Sequence, residues 1–309
     1  MTAAHILVSV SGGKDSTATL LVAMERHPLE NISAVFCDTG NEHPFTYDYV
    51  RYLELQTGVP IRWLKQDFSA WWQRKTEYVR DKWPGKGVPD SVVERVLSFL
   101  EQGPTGNPYL DLCIIKGRFP SRKAQFCTQY LKSEPATEYA LELIDKHGAI
   151  ESWQGVRADE SLNRRDLAER EERGGGLVIV RPIHKWTAEM VFAQHDKHGV
   201  EHNPLYRLGM GRVGCMPCIN ARKDEVLEIS KRFPEHIDRI EEWESLVAQT
   251  SKRQGATFFA SPGANETAQA RGNIRQVVKW SQTARGGKQM DFIRLDEPTM
   301  CASAYGLCE

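Results

Sequence analysis

Short apolar runs alternate with amphipathic stretches along the first part of the chain. The runs at 6–8, 32–36 and 61–64 have the length and apolar content of buried strands, whereas 17–24 and 45–57 place apolar side chains at helical spacing. Each helix can carry the chain back to the same edge of the sheet, which favours parallel pairing of the strands. The pattern therefore predicts an α/β fold with a doubly wound, mostly parallel sheet.

The pattern continues further along the chain. Apolar runs at 150–156 and 178–183 predict two more strands, and helical spacing returns at 186–198 and 223–248. Segment 167–176 is charged and ends in glycines. Such a composition predicts a surface loop that closes over a ligand.

We expect the chain to divide into two units. Residues 1–222 would form a nucleotide-binding domain with an insertion at about 68–118, and residues 223–309 a helical extension that carries terminal cysteines. Within that extension, 251–287 is rich in Gly, Ala, Gln and Arg, which is typical of loosely ordered chain.

The first predicted strand leads directly into a glycine loop and then into a helix. Backbone N–H groups at a helix N-terminus bind anions, and glycines let them approach the ligand closely. The loop is shorter than a Walker A loop, and an ordinary strand-to-helix turn is the alternative interpretation. The residues expected to hold a phosphate-bearing ligand are Ser9, Ser11, Gly12, Gly13, Lys14, Asp15 and Ser16.

Two later strands also end in polar residues, and ligands of open α/β sheets bind at the carboxyl ends of strands. The residues expected there are Asp38, Thr39 and Gly40 after the second strand, and Gly155 and Arg157 after a later one. The Arg157 guanidinium suits phosphate or sulfate, although pairing with Asp159 or Glu160 is a purely structural explanation. Asp15 or Asp38 would hold Mg²⁺, because this hard cation prefers carboxylate and phosphate oxygens.

Composition limits where the protein is expected in the cell and which roles its cysteines can have. The formal net charge is −1, so bulk charge implies no general attraction to polyanions. An odd number of cysteines, seven, argues against a disulfide framework, and the lack of a membrane span or signal peptide predicts a cytoplasmic protein. Cys215 and Cys218 form a Cys-x-x-Cys element, which fits redox-active thiols, a zinc site or an iron–sulfur cluster.

The predicted insertion is rich in aromatic residues interleaved with lysine and arginine. Trp71, Trp72, Tyr78 and Trp83 fall in this region. The combination is typical of surfaces that stack bases and hold phosphates, but an insertion that packs its tryptophans in its own core fits equally well. A run of cations follows, which would hold phosphates or form a solvated loop: Lys116, Arg118, Arg122 and Lys123.

Taken together, these motifs resemble the phosphoadenosine phosphosulfate (PAPS) reductase family of the PP-loop ATP pyrophosphatase superfamily. The motifs that carry the resemblance are Ser11-Gly12-Gly13-Lys14-Asp15-Ser16, Asp38-Thr39-Gly40, Gly155-Val156-Arg157, and Cys127 with Cys215-Met216-Pro217-Cys218. The resemblance covers roughly 6–221. It implies an adenine nucleotide alpha hydrolase-like fold, a bound adenine nucleotide (ATP, PAPS or adenylyl sulfate), Mg²⁺ and a 4Fe–4S cluster.

The resemblance also implies that Cys127, Cys215 and Cys218 are cluster ligands. Phe126 stands where the family's tandem motif has its first cysteine. The fourth ligand would then be Cys308, or alternatively Cys301 or Cys113. Otherwise the fourth iron would stay open to bind sulfide or substrate.

The end of the chain departs from the assimilatory reductases. It reads Gly306-Leu307-Cys308-Glu309 and lacks their Glu-Cys-Gly-Leu/Ile-His element. With the insertion, this resembles the DNA-phosphorothioation branch, which implies cleavage of ATP between its α and β phosphates, pyrophosphate release and sulfur transfer, with Lys14, Asp15 and Arg157 in the chemistry.

That branch implies several partners: a nucleic-acid acceptor, a sulfur donor such as a cysteine desulfurase, and a homodimer or larger complex. Two alternatives stay open. One is a sulfonucleotide reductase that makes sulfite with Cys308 as catalytic nucleophile. The other is a non-catalytic nucleotide-binding subunit of a nucleic-acid modification or defence complex.

Overall fold

One sheet of six strands forms the centre of the molecule. The computed structural model describes residues 4–259 and 272–283. The strands are β1 (His5–Ser9), β2 (Ile32–Asp38), β3 (Ile61–Lys65), β4 (Ile150–Trp153), β5 (Arg170–Gly174) and β6 (Leu177–Val180). Their order in the sheet is β3-β2-β1-β4-β6-β5.

The pairing confirms the predicted doubly wound, mostly parallel α/β sheet. Every neighbouring pair is parallel except β5 with β6. β1 lies between β2 and β4, so the winding of the chain changes direction between β1 and β4. At such a switch point the connections leave on opposite sides of the sheet, which opens a crevice at the carboxyl ends of the strands.

Helices cover the sheet and form a separate layer beyond it. They are α1 (Lys14–Arg26), α2 (Pro44–Thr57), α3 (Ser69–Lys82), α4 (Asp90–Leu100), α5 (Pro108–Lys116), α6 (Phe126–Thr128), α7 (Glu134–His147), α8 (Leu162–Arg165), α9 (Ala188–Lys197), α10 (Pro204–Arg207), α11 (Lys223–Arg232), α12 (Pro234–Thr250) and α13 (Ile274–Ser281). A π-helical turn, Gln129–Ser133, joins α6 to α7. Within the described ranges, no helix has the length and apolar character needed to cross a membrane.

Both faces of the sheet are buried, which explains the continuous apolar runs of the strands. Ile6 and Val8 of β1 pack in a cluster with α1 and α2, whereas Leu7 packs on the other face with residues of α7. Successive side chains of a strand point to opposite faces, so each run supplies two cores.

A further hydrophobic cluster joins the predicted insertion to the C-terminal helices. Trp72 and Trp83 are buried in it, together with Trp243 of α12 and Ile274 of α13. These two tryptophans are therefore packed in a core, but the core is shared with α12 and α13 and is not the insertion's own. Tyr78, in contrast, is 40% exposed.

Three expectations about local structure were wrong. Residues 167–176 contain strand β5, because the glycine turn after it folds the chain back onto β6. The helical stretch 223–248 is two helices, since Pro234 cannot continue α11 and instead begins α12. Within 251–287, residues 274–281 form α13, so this part is regular.

Candidate functional site

The glycine loop forms a tight turn between β1 and α1. Gly12 has a φ of +79°, and a Cβ there would lie 2.8 Å from the Thr46 methyl group, so the position requires glycine. The Ser11 and Ser16 hydroxyls lie 3.0 Å apart, within hydrogen-bonding distance. The Ser9 hydroxyl is buried with no hydrogen-bond partner in the described residues. These hydroxyls lie around the turn that leads into α1, where the sequence predicts a phosphate cradle.

Residues far along the chain hold the loop in place. The Asn203 amide donates to the Gly12 carbonyl at 3.0 Å, and the Lys14 N–H donates to the Tyr206 hydroxyl at 2.9 Å. The His195 ring lies 2.8 Å from the Lys14 carbonyl. Sequence reasoning missed these supporting roles, because none of these side chains is close to the loop in sequence.

Asp15 is the centre of a buried charge cluster. Its side chain is 0% exposed and accepts from Lys14 Nζ at 2.7 Å and from Arg157 Nε at 2.5 Å. Arg157 also contacts Asp159 at 2.6 Å. Burial lowers the pKa of Arg157, but the carboxylates of Asp15 and Asp159 outweigh it and raise that pKa above its ordinary value.

This cluster bears on two expectations. Asp15 already binds two cations, which does not favour a role as Mg²⁺ ligand and leaves Asp38 as the better candidate. Arg157 has the local partner Asp159 that the structural explanation requires. It also reaches from the end of β4 to the start of α1, so it lies at the predicted crevice.

Gly155 allows its own backbone to lie close to the backbone at the start of α1. A Cβ at this position would lie 2.7 Å from both the Asp15 carbonyl carbon and the Ser16 nitrogen. Such a contact is shorter than van der Waals packing allows. The glycine therefore lets the chain after β4 contact the first turn of α1, which brings Arg157 to Asp15.

The loop after β2 connects the nucleotide edge of the sheet to the cysteines. Asp38 Oδ1 accepts from the Gly40 N–H at 3.0 Å and from the Tyr47 hydroxyl at 2.8 Å. The Thr39 hydroxyl donates to Glu42 at 2.7 Å and lies 3.6 Å from Cys215 Sγ. Thr39 therefore belongs to both parts of the site.

Cys127, Cys215 and Cys218 line one cavity, as their predicted common role requires. Burial raises the pKa of the Cys127 thiol to about 11 and that of Cys215 to about 12. Lys132 lies on the same cavity, and although burial lowers its pKa, Cys215 and Glu42 raise it above the ordinary value. Thiols in this setting lose their protons when a metal centre binds them.

The spacing of the three thiols does not match that of ligands on a single zinc ion. Thiolates on one tetrahedral zinc lie about 3.8 Å apart, since Zn–S bonds are about 2.3 Å long. Among the described residues, these cysteines form no group whose ligand atoms all lie within 4.8 Å of one another. Thiolates on different irons of a cluster lie farther apart. Three buried atoms of the lining also have no hydrogen-bond partner in the described chain: the Tyr109 hydroxyl, Arg212 Nε and Asn220 Oδ1.

The structure describes only one of the three cysteines predicted as a possible fourth ligand. Cys113 is buried in α5 and is not part of the cavity lining. Cys301 and Cys308 lie outside the described residues, so their predicted roles stay predictions. Phe126 is buried in the hydrophobic cluster beside Cys127.

The Cys215–Cys218 loop is held by a network that sequence reasoning did not find. The Met216 N–H donates to the Asn41 carbonyl at 2.8 Å, and the Asn41 amide donates to the Pro217 carbonyl at 3.0 Å. Arg239 donates to Asn41 Oδ1 at 2.9 Å and to the Met216 carbonyl at 2.7 Å. The signal is weak in sequence, because Arg239 lies in a charged helix.

His43, Glu235 and His236 come within ligand distance of one another near this network. The His43 Nδ1 accepts from the Phe45 N–H at 3.0 Å. A histidine that binds a metal usually donates its other ring N–H instead. The group therefore does not fit a metal site.

Comparisons with known proteins relate the chain to one family and to several individual proteins. The phosphoadenosine phosphosulfate reductase domain matches residues 5–89 and 114–221, so the unmatched stretch 90–113 lies within the predicted insertion. The 37.8 kDa protein in the gpa 5′ region of Escherichia phage 186 is 43% identical over 98% of this chain and 96% of its own. Adenosine 5′-phosphosulfate reductase of Deinococcus radiodurans is 38% identical over 31% of this chain and 36% of its own. The crystal structure of PAPS reductase from Candida auris in complex with phosphate covers 70% of this chain and 84% of its own, at 19% identity and a TM-score of 0.44.

Proposed function

Because the chain belongs to the phosphoadenosine phosphosulfate reductase domain family, we propose that it is an enzyme that couples an adenine nucleotide to sulfur transfer. The observation that carries the proposal is the joining of two sites by one loop. Thr39 follows the strand that ends at the nucleotide edge, and its hydroxyl lies 3.6 Å from Cys215 in the cavity lined by three cysteines.

In this proposal ATP places its phosphates on the glycine loop at the N-terminus of α1. An acceptor oxygen attacks the α-phosphorus and loses its proton to solvent, and the bond to the β-phosphate oxygen breaks, so that pyrophosphate leaves. Lys14 and Arg157 stabilise the negative charge on the leaving group, and Asp15 holds both cations in position. Asp38 would hold Mg²⁺, which would offset the negative charge of the phosphates.

Sulfur enters in the second step. Hydrosulfide, either free or released by a thiol reductant from the persulfide of a donor such as a cysteine desulfurase, attacks the acceptor atom that bears the adenylated oxygen. A bond to sulfur forms, the bond to that oxygen breaks, and AMP leaves with the oxygen. Cys127, Cys215 and Cys218 would hold a 4Fe–4S cluster, which supplies a site for sulfide when bound. Lys132 on the same cavity favours an anion there.

A second candidate is a sulfonucleotide reductase that splits PAPS or adenylyl sulfate into sulfite and the nucleotide. It is supported by the identity shared with adenosine 5′-phosphosulfate reductase of Deinococcus radiodurans. A thiol, with Cys308 as the candidate, attacks the sulfur atom and releases the nucleotide. A second thiol then reduces the enzyme S-sulfonate, which frees sulfite and leaves a disulfide.

Anaerobic purification tests the cluster. We expect bound iron and acid-labile sulfide in the wild type, and loss of both in Cys127→Ser and Cys215→Ser. Cys113→Ser is the matched control, because it also replaces a buried cysteine but lies off the cavity lining. An iron-free wild-type protein would contradict the cluster.

Product analysis separates the candidates. With ATP, sulfide, Mg²⁺ and a nucleic-acid strand as acceptor, we expect AMP and pyrophosphate, both reduced at least tenfold by Lys14→Ala. Sulfite from PAPS or adenylyl sulfate, abolished by Cys308→Ser, would establish the reductase instead. Nucleotide binding without either product, even with partner proteins supplied, would support the non-catalytic subunit.

A further inference from the structure

A row of cations and aromatic rings lies on the outer side of α3. Trp71, Lys75 and Tyr78 follow one another at i, i+4 and i+7, so their side chains share one side of the helix. The core residues Trp72 and Val79 face elsewhere and are buried. Tyr78 is 40% exposed, so this side of α3 includes an aromatic ring open to solvent.

Lysines from other segments converge on the same rings. Lys116 Nζ lies 5.1 Å from the Trp71 ring centre, and Lys86 Nζ lies 5.0 Å from that of Tyr78. Lys252, which follows α12, lies 5.7 Å from the Tyr78 ring centre. We call this set the lysine–aromatic surface: Trp71, Lys75, Tyr78, Lys86, Lys116 and Lys252.

Within the described ranges, none of these four lysines forms an ion pair with a carboxylate. Some exposed lysines elsewhere do, as Lys197 with Glu25 at 2.6 Å and Lys231 with Glu228 at 3.3 Å. Four lysines without such a pair are therefore gathered around shared aromatic rings on a chain whose net charge is −1.

The ammonium groups of Lys75 and Lys252 lie close to each other. Both ammonium groups lie over the Trp83 ring, at 5.1 and 5.0 Å from its centre. Burial, and then repulsion from Lys252, lowers the pKa of Lys75 to about 8. A bound polyanion would relieve this repulsion.

The surface continues to the cysteine cavity. The rings of Trp71 and Tyr130 lie 4.8 Å apart, and Lys116 lies 4.5 Å from the Tyr130 ring centre. Tyr130 belongs to the π-helical turn that also carries Lys132, which lines the cavity. The π-helical turn therefore contacts the lysine–aromatic surface through Tyr130 and the cysteine cavity through Lys132.

We propose that the lysine–aromatic surface binds a single-stranded nucleic acid and that this strand supplies the acceptor for sulfur. Lysines would contact the phosphates, and the exposed Tyr78 ring would stack on a base, which an acidic peptide does not offer. Single strands are favoured over duplexes because stacking needs bases free of the helix. The acceptor role rests on the proposed function, whereas binding does not.

The binding test uses the full chain and a labelled 12-nucleotide strand, as DNA and as RNA, in fluorescence anisotropy. Lys86→Gln/Lys252→Gln removes two phosphate contacts, so we expect about 25-fold weaker binding at 0.1 M salt and a salt slope smaller by about 1.4. Tyr78→Ala should weaken binding by about fivefold or more. Lys197→Gln/Lys231→Gln, with the same change in charge, should keep the wild-type affinity and slope.

Several results would overturn the inference. Equal losses in the two double variants would mean that bulk charge alone is responsible. Equally tight binding of a duplex or of a 12-residue polyglutamate would contradict the single-strand assignment. The assay needs neither ATP nor iron, so a protein that fails to release pyrophosphate but binds the strand would contradict only the proposed function.

Discussion

Replacing Asp15 by asparagine tests whether its carboxylate is a structural ion-pair centre or a metal ligand. The substitution keeps the shape of the side chain and removes its charge. In the folded protein this carboxylate is 0% exposed and lies between Lys14 and Arg157, whose side chains are 12% and 6% exposed. The variant therefore leaves two poorly solvated cations without the carboxylate that both of them contact.

The cost follows from burial. Removing one partner from a buried ion pair destabilises a protein by about 3–5 kcal/mol, because the remaining charge is not rehydrated. Asp159 contacts the same Arg157 but is 52% exposed. Exposed pairs contribute about 0–1 kcal/mol, so Asp159→Asn should be nearly neutral. Both replaced carboxylates contact Arg157, but only that of Asp15 is buried, so the comparison isolates the effect of burial.

Urea denaturation followed by tryptophan fluorescence measures both variants, without nucleotide or Mg²⁺. We expect a clear loss of unfolding free energy for Asp15→Asn and little for Asp159→Asn. If Asp15 served mainly as a Mg²⁺ ligand, its replacement would leave the stability of the free protein unchanged and weaken only Mg²⁺-dependent nucleotide binding. That result would refute the reasoning.

Three other predictions concern single positions. Gly155→Ala adds a Cβ 2.7 Å from the backbone of the first turn of α1, so we expect a loss of about 1–3 kcal/mol in calorimetry and weaker nucleotide binding in dialysis; Gly211→Ala, which meets nothing within 4 Å, should change neither. Arg239→Leu removes one hydrogen bond to the Met216 carbonyl between the cysteines and one to Asn41, which itself holds that segment, so iron should be lost faster to a chelator than in the surface control Arg275→Leu. Burial, then Arg239 and His43, lower the pKa of His236 from an ordinary 6.5 to about 4. Between these two pH values the unfolded chain binds more protons than the folded protein. The free energy of unfolding therefore falls as the pH drops through this window. His236→Asn should remove up to about 3 kcal/mol of that pH dependence in urea denaturation, and an unchanged profile would argue against it.

The sheet and the nucleotide edge were predictable because their signals are local. Each strand that is buried on both faces must be a short apolar run, and each phosphate loop needs glycine and donors in adjacent positions. The carboxyl ends of parallel strands meet at one edge, which is why residues after β1, β2 and β4 could be expected together. Strand β5 gave no such signal, since its side chains are charged and mostly exposed at the edge of the sheet.

The partners of the site residues were not predictable in the same way. Asp15 pairs with both Lys14 and Arg157 because β4 ends close to the start of α1. The periodicity of apolar residues does not determine that position. Arg239 is one of many charged residues in α12, and its contact with Asn41 depends on how that helix packs. Trp72 and Tyr78 have similar surroundings in sequence, yet one is buried and the other exposed, because only their positions around α3 differ.

The loop after β2 links the strand ends where a nucleotide is predicted to the cysteine cavity. Asn41 bonds through its backbone to the Met216 N–H and through its amide to the Pro217 carbonyl, so the loop and the cysteine-bearing segment share two hydrogen bonds. Thr39 adds its contact with Cys215. A movement of either segment strains bonds of the other. In the proposed function, a nucleotide that changes the position of Asp38 would therefore act on the cysteines. By reciprocity, a group bound by the cysteines would change the affinity for the nucleotide to the same degree.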